Sequence, residues 1–175
     1  MCNPRRRSGV VGAAGGLILL VAFIPKLSAQ EGLRLTLAAG VSQFDLSGTG
    51  DAFTAAARLD GEIRPALLWE GSLGFTFVAQ QFGDTTMFVV PEAQVQLQWP
   101  ARLAPYIGVG AGLALDFRDE EDGGTQTDPT FSGAVGARLD VTEALGLRAE
   151  LRVRGVGDSF QGSTAEWTAG VGWRF

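Results

Sequence analysis

After residue 30 the sequence falls into eight runs in which apolar residues occupy every second position, and every such position is odd-numbered. Leu33, Leu35, Leu37, Ala39 and Val41 open the series; Trp167, Ala169, Val171, Trp173 and Phe175 close it. Between them lie runs starting near Phe53, Trp69, Ala93, Ile107, Phe131 and Leu147. A period of two is the signature of a strand with two unlike faces, and it leaves no stripe at helical spacing. Each run is roughly ten residues long, the length a tilted strand needs to cross a bilayer.

The other face carries the charge. Within the runs the even positions hold seven arginines (Arg34, Arg58, Arg138, Arg148, Arg152, Arg154, Arg174) and eight acids (Asp60, Glu62, Glu70, Glu92, Asp116, Asp140, Glu150, Glu166). The odd positions of the same runs hold none. A soluble antiparallel sheet also alternates, with its apolar face inward. Two readings therefore stand: a membrane barrel with its charges inside, and a soluble lipocalin-like carrier with its charges outside.

Connections and aromatic residues favour the membrane. Arg64-Pro65-Ala66, Pro100 to Pro105 and Thr142-Glu143-Ala144 are tight, whereas the alternate connections are longer and polar, the longest spanning 118–130. Short turns at one end and longer loops at the other characterise outer-membrane barrels. On an up-and-down path Trp69, Trp99, Trp173 and Phe175 fall at the turn end, with Tyr106 nearby. Phe53, Phe117, Phe131 and Trp167 fall at the loop end, and chiefly Phe75 and Phe77 fall in mid-strand. Two aromatic belts match the two interfaces of a bilayer. The expected fold is all-β: an eight-stranded antiparallel up-and-down transmembrane barrel. Pro91, which has no N–H to give a ladder, is expected at the start of the fourth run, above the membrane.

The N-terminus reads as an export signal, with Arg5, Arg6 and Arg7 before an uncharged run from Val10 to Ile24 and small residues at Ser28 and Ala29. Cleavage is expected after Ala29, giving a signal over 1–29 and a barrel over 30–175. Cys2 precedes the apolar run and is therefore not placed as a lipidation site. The mature chain would keep ten arginines against nineteen carboxylates, a net charge of −9. That balance excludes a nucleic-acid partner, which demands a basic surface.

Much chemistry is excluded by composition. There is no histidine and one cysteine in 175 residues. A Cys/His zinc site, a Ser-His-Asp triad and a Cys-His pair cannot be built. Gly157-Asp158-Ser159 has no histidine base to serve it, and Gly108-Val109-Gly110-Ala111-Gly112 departs from a dinucleotide fingerprint at Leu113. Asp119, Glu120, Glu121 and Asp122, with Asp128, form an acidic stretch, but Gly123 falls where a calcium loop needs a ligand. A solvated loop is the better account. No cofactor, no metal and no catalytic residue are expected.

The mature chain resembles the small eight-stranded outer-membrane β-barrel proteins of the A and X types. The resemblance rests on the last run (Trp167, Ala169, Val171, Trp173 and Phe175) and on Pro105 to Gly112. It implies a Gram-negative-type outer membrane, termini in the periplasm and loops outside. It also implies that the last run is the signal read by the barrel assembly machinery. The peptidoglycan-binding domain of A-type proteins has no counterpart here, and cell-wall tethering is not expected.

Charges on the lipid face would cost about 2–4 kcal/mol each at the bilayer midplane, so they are expected in the lumen, paired. Even-position Gly74, Gly108, Gly110, Gly112, Ala134, Gly170 and Gly172 leave them room. Glu150 stands among Arg148, Arg152 and Arg154 on one strand, and Arg58 near Asp60 and Glu62. The leading expectation is a monomeric, non-enzymatic barrel among outer-membrane lipids, with a sealed lumen and a structural role. A small-solute or ion pore, a surface adhesin or receptor acting through the 118–130 and 156–164 loops, and the soluble carrier remain as alternatives.

Overall fold

The computed structural model describes residues 32–44, 50–79, 85–117, 126–157 and 162–175. They form eight strands: β1 Arg34–Phe44, β2 Gly50–Arg64, β3 Leu67–Ala79, β4 Thr85–Gln98, β5 Leu103–Phe117, β6 Gln126–Asp140, β7 Leu145–Val156 and β8 Gly162–Arg174. Each pairs antiparallel with its neighbours in sequence, and β8 pairs with β1 to close the barrel. The proposed signal and the 119–122 acidic stretch lie outside the described residues.

Register fixes the barrel's dimensions. Following ladder partners from Arg34 leads through Asp60, Glu70, Gln94, Gly110, Ser132, Arg154 and Thr164 to Phe44. The path returns to β1 ten residues beyond its start. With a rise of about 3.3 Å per residue and about 4.8 Å between strands, that stagger over eight strands corresponds to a tilt of about 41°. The backbone radius is then about 8 Å, a lumen that side chains fill.

The parity of the sequence is the parity of the barrel. Odd positions face out: Leu37, Val95, Ile107, Val135 and Leu147 are exposed, and Val109 is 70% exposed. Arg58, Glu70, Glu92, Gln96, Arg138 and Arg152 are buried inside. A soluble lipocalin-like carrier needs the opposite arrangement, and this finding overturns that alternative.

Strands reach further than the alternation suggested. β6 begins at Gln126, so Asp128 and Pro129 lie in a strand and not in a loop; β5 takes in Pro105. Pro91 corrects the expectation more sharply. It is interior to β4, opposite Leu73 of β3. The ladder to β5 passes from Val89–Leu115 to Glu92–Gly112 and omits the proline. The missing N–H is therefore accommodated by a local gap on one side of the strand, while pairing to β3 continues.

The turn between β2 and β3 is built on Pro65 and Ala66, with Ala66 at φ 71°. Proline followed by a positive φ is the type II pattern, in which glycine ordinarily holds the second position.

Candidate functional site

The lumen is the chemically dense part of the molecule. Its centre is β7, whose inward positions are Arg148, Glu150, Arg152 and Arg154, spaced by two so that all four point to one face. Arg148 donates from Nη1 to Glu70 at 2.5 Å, from Nη2 to Glu150 at 2.6 Å and from Nε to the Tyr106 hydroxyl at 2.7 Å. Arg152 donates to Glu70 at 2.7 Å, to Glu92 at 2.6 Å and to Glu150 at 2.9 Å. Arg154 bonds Glu92 at 2.7 Å and also Glu166 of β8. Arg58, from β2, reaches Glu150 at 2.8 Å.

These bonds join β7 to β2, β3, β4, β5 and β8. β3 stands four strands from β7 in a ring of eight, so the Arg148–Glu70 and Arg152–Glu70 pairs cross the full bore. A second tier lies toward the tight turns. There Arg138 donates to Gln96 and Gln98, both at 2.6 Å, and lies 3.4 Å from Asp60. Gln96 in turn donates to Glu70 at 2.8 Å. Five arginines (Arg58, Arg138, Arg148, Arg152, Arg154) thus meet five acids (Asp60, Glu70, Glu92, Glu150, Glu166), all buried. The buried charges balance, as low-dielectric surroundings require.

The pairing differs from what strand neighbours suggested. Arg58 meets Glu150 across the lumen, while Asp60 meets Arg138 and Arg148. Glu62, expected inside, is exposed at the turn end, because the register shift between Glu62 and Arg64 ends the regular ladder there. Asp140 and Arg174 are at the same rim, their side chains 44% and 43% exposed, paired at 3.4 Å. Arg34 bonds Asp140 at 2.7 Å and ties β1 to β6.

Tyr106 is a further correction. It was grouped with the turn-end aromatic belt, but its even position turns it inward, where it is 1% exposed. Its hydroxyl donates to Glu150 at 2.6 Å, and the guanidinium carbons of Arg138 and Arg148 lie 4.7 and 5.0 Å from its ring centre. Gly136 opposite makes this possible, since a Cβ there would collide with the tyrosine hydroxyl. Tyr106 is one lumen residue that a count of charges does not reveal; its parity is the available signal.

The remaining aromatics expected in the belts face outward. Phe53, Trp99, Phe117, Phe131, Trp167 and Trp173 are exposed, and Trp69 is partly covered as its indole lies over Gly61. Phe77, expected in mid-strand, pairs with Phe53 and stacks on it with ring centres 6.4 Å apart. In β8, Trp167, Ala169, Val171 and Trp173 pair with Val41, Ala39, Leu37 and Leu35 of β1. Phe175 adds a backbone bond from its N–H to Leu33, so the last run closes the barrel.

Above Arg154, toward the loop end, the lumen opens into a cavity of about 370 Å³. Phe44, Phe88, Val90 and Val156 line it at even, inward positions that the charge pattern did not flag. Among the described residues no cluster of metal-ligating side chains forms. The adhesin or receptor expectation rests largely on loop residues outside those described.

Solved structures similar to this barrel share its architecture at low identity. Neisserial surface protein A superposes with a TM-score of 0.71 at 17% identity, covering 82% of this chain and 97% of that one. The attachment invasion locus protein Ail of Yersinia pestis, solved in complex with the heparin analogue sucrose octasulfate, gives 0.59 at 15%, over 83% and 99%. The N-terminal barrel of Pseudomonas aeruginosa OprF gives 0.58 at 15%, over 83% and 98%. No curated protein sequence matches the chain. The family described as the outer membrane protein beta-barrel domain matches residues 14–175. With its apolar face outward, its charges inside and nearly its whole length matched, the chain belongs to the outer-membrane β-barrel family and resides in the outer membrane.

Proposed function

We propose that this protein is a structural barrel of the outer membrane whose lumen is closed to solutes. The observation that carries the reading is the balanced set of five arginines and five acids ion-paired within the bore. A path for ions would have to break several charge-assisted bonds at once, each among the stronger bonds a protein makes. The reading includes no catalysis. It includes a cleaved signal over 1–29, loops outside and tight turns in the periplasm. It also takes β8 as the strand that the assembly machinery reads, and the barrel as a monomer in lipid.

The test is potassium efflux from liposomes carrying the refolded 30–175 barrel. Efflux equal to that of protein-free liposomes supports closure. Faster efflux transfers the protein to the pore reading. One observation favours that second reading: Thr36 Oγ1, Asp60 Oδ1, Gln94 Nε2 and Arg138 Nε are buried without a hydrogen-bond partner among the described residues. Buried polar groups of this kind are the ones internal water serves, and an ion path would run through such water.

A further inference from the structure

The loop-end cavity lies above the charge network, shares Arg154 and Glu166 with it, and adds a chemistry of its own. Its floor is the Arg154–Glu166 pair, and its walls combine apolar and hydroxyl side chains with two more carboxylates. The volume, about 370 Å³, falls within the range of small-molecule pockets. Phe44 and Phe88 lie with ring centres 5.9 Å apart and planes tilted by 43°. Both rings line the cavity, and aromatic rings attract cations at their faces.

The sign of the charge selects the ligand. Among the described lining residues Asp116, Asp128 and Glu166 are acidic and Arg154 alone is basic. Arg154 is already committed, its Nε to Glu92 and its Nη1 to Glu166. The one lining guanidinium among the described residues thus already has two acidic partners. Asp116 and Asp128 hold contacts of their own within the protein and line the cavity as carboxylates. Thr130, 1% exposed in the same lining, has a hydroxyl without a partner among the described residues, and supplies a polar contact.

The geometry points to a binding site for a small organic cation with an apolar body, seated against the Phe44–Phe88 pair and facing the acidic side chains of the lining. An anion of equal size meets the same apolar surface and the wrong sign of field. The site is independent of whether the lumen below it conducts.

The test uses the barrel refolded in zwitterionic micelles, with methyl groups labelled for NMR. The probe is benzyltrimethylammonium, and phenylacetate and benzyl alcohol are the anionic and neutral controls. The cation is expected to give saturable shifts at Val90, Val156 and Thr130, and phenylacetate none. Asp116→Asn with Asp128→Asn should weaken the cation about tenfold, as expected when two nearby charges are removed. Phe88→Leu should weaken it severalfold with the barrel still heat-modifiable on gels. Three results overturn the proposal: no saturable shifts, equal binding of cation and anion, or shifts spread over the outward odd positions.

Discussion

Glu150→Gln is the substitution that most directly strains the lumen. The Glu150 carboxylate accepts from Arg148 and Tyr106 on one oxygen, both at 2.6 Å, and from Arg152 at 2.9 Å on the other, where Arg58 also lies at 2.8 Å. The amide keeps the shape and loses the charge. Five buried arginines would then face four buried acids. One unit pair about 4 Å apart is worth about 4 kcal/mol at an effective dielectric of 20, before desolvation is subtracted. Breaking a buried pair from one side costs about 3–5 kcal/mol, because the remaining charge stays buried. We expect a loss in that range, read as a lower urea midpoint for the refolded barrel with tryptophan fluorescence as the probe. Adding Arg58→Gln restores the balance and should recover at least half of the loss, a coupling that a double-mutant cycle isolates. A single-mutant cost below about 1 kcal/mol would refute the reasoning, since it would mean that water already screens these groups.

Other perturbations follow from particular contacts. Tyr106→Phe removes a hydroxyl that bridges Arg148 and Glu150, and should cost about 1.5–3 kcal/mol in the same urea assay. Ala66→Gly relieves a positive φ in the β2–β3 turn and should raise stability by about 0.5–1 kcal/mol. Val109→Arg places a charge on the outer face and should cost about 2–4 kcal/mol in lipid vesicles; no loss would argue that this face does not meet lipid. Deleting Phe175 removes one backbone bond to Leu33. It should slow assembly in cells far more than it lowers the urea midpoint of refolded protein.

The sequence disclosed the barrel because a period of two, once set, assigns every residue of a strand to a face. Odd-numbered Leu37, Val109 and Val135 and even-numbered Arg58, Glu92 and Arg152 needed no tertiary information. Partner choice did need it. Arg58 and Glu150 are distant in sequence and meet only because the ten-residue stagger brings β2 and β7 to one level. The inward set was also read too narrowly, as a set of charges. Tyr106, Phe44, Phe88 and Val90 share its parity, but their apolar character concealed it. Pro91 departs from its expected place because a gap of two residues in one ladder accommodates a proline even within a closed sheet. Glu62, Asp140 and Arg174 obey the parity and still lie at the exposed rim, because strand ends leave the low-dielectric interior.

The central claim is that paired charges close the lumen, and single-channel recording tests it most directly. The refolded barrel, shown to be folded by its heat-dependent shift on gels, is inserted in a planar bilayer beside its Glu150→Gln variant. The wild type is expected to stay silent over the full range of applied voltage, with openings only when the pairing is broken. Discrete, reproducible conductance steps from the wild type would contradict it.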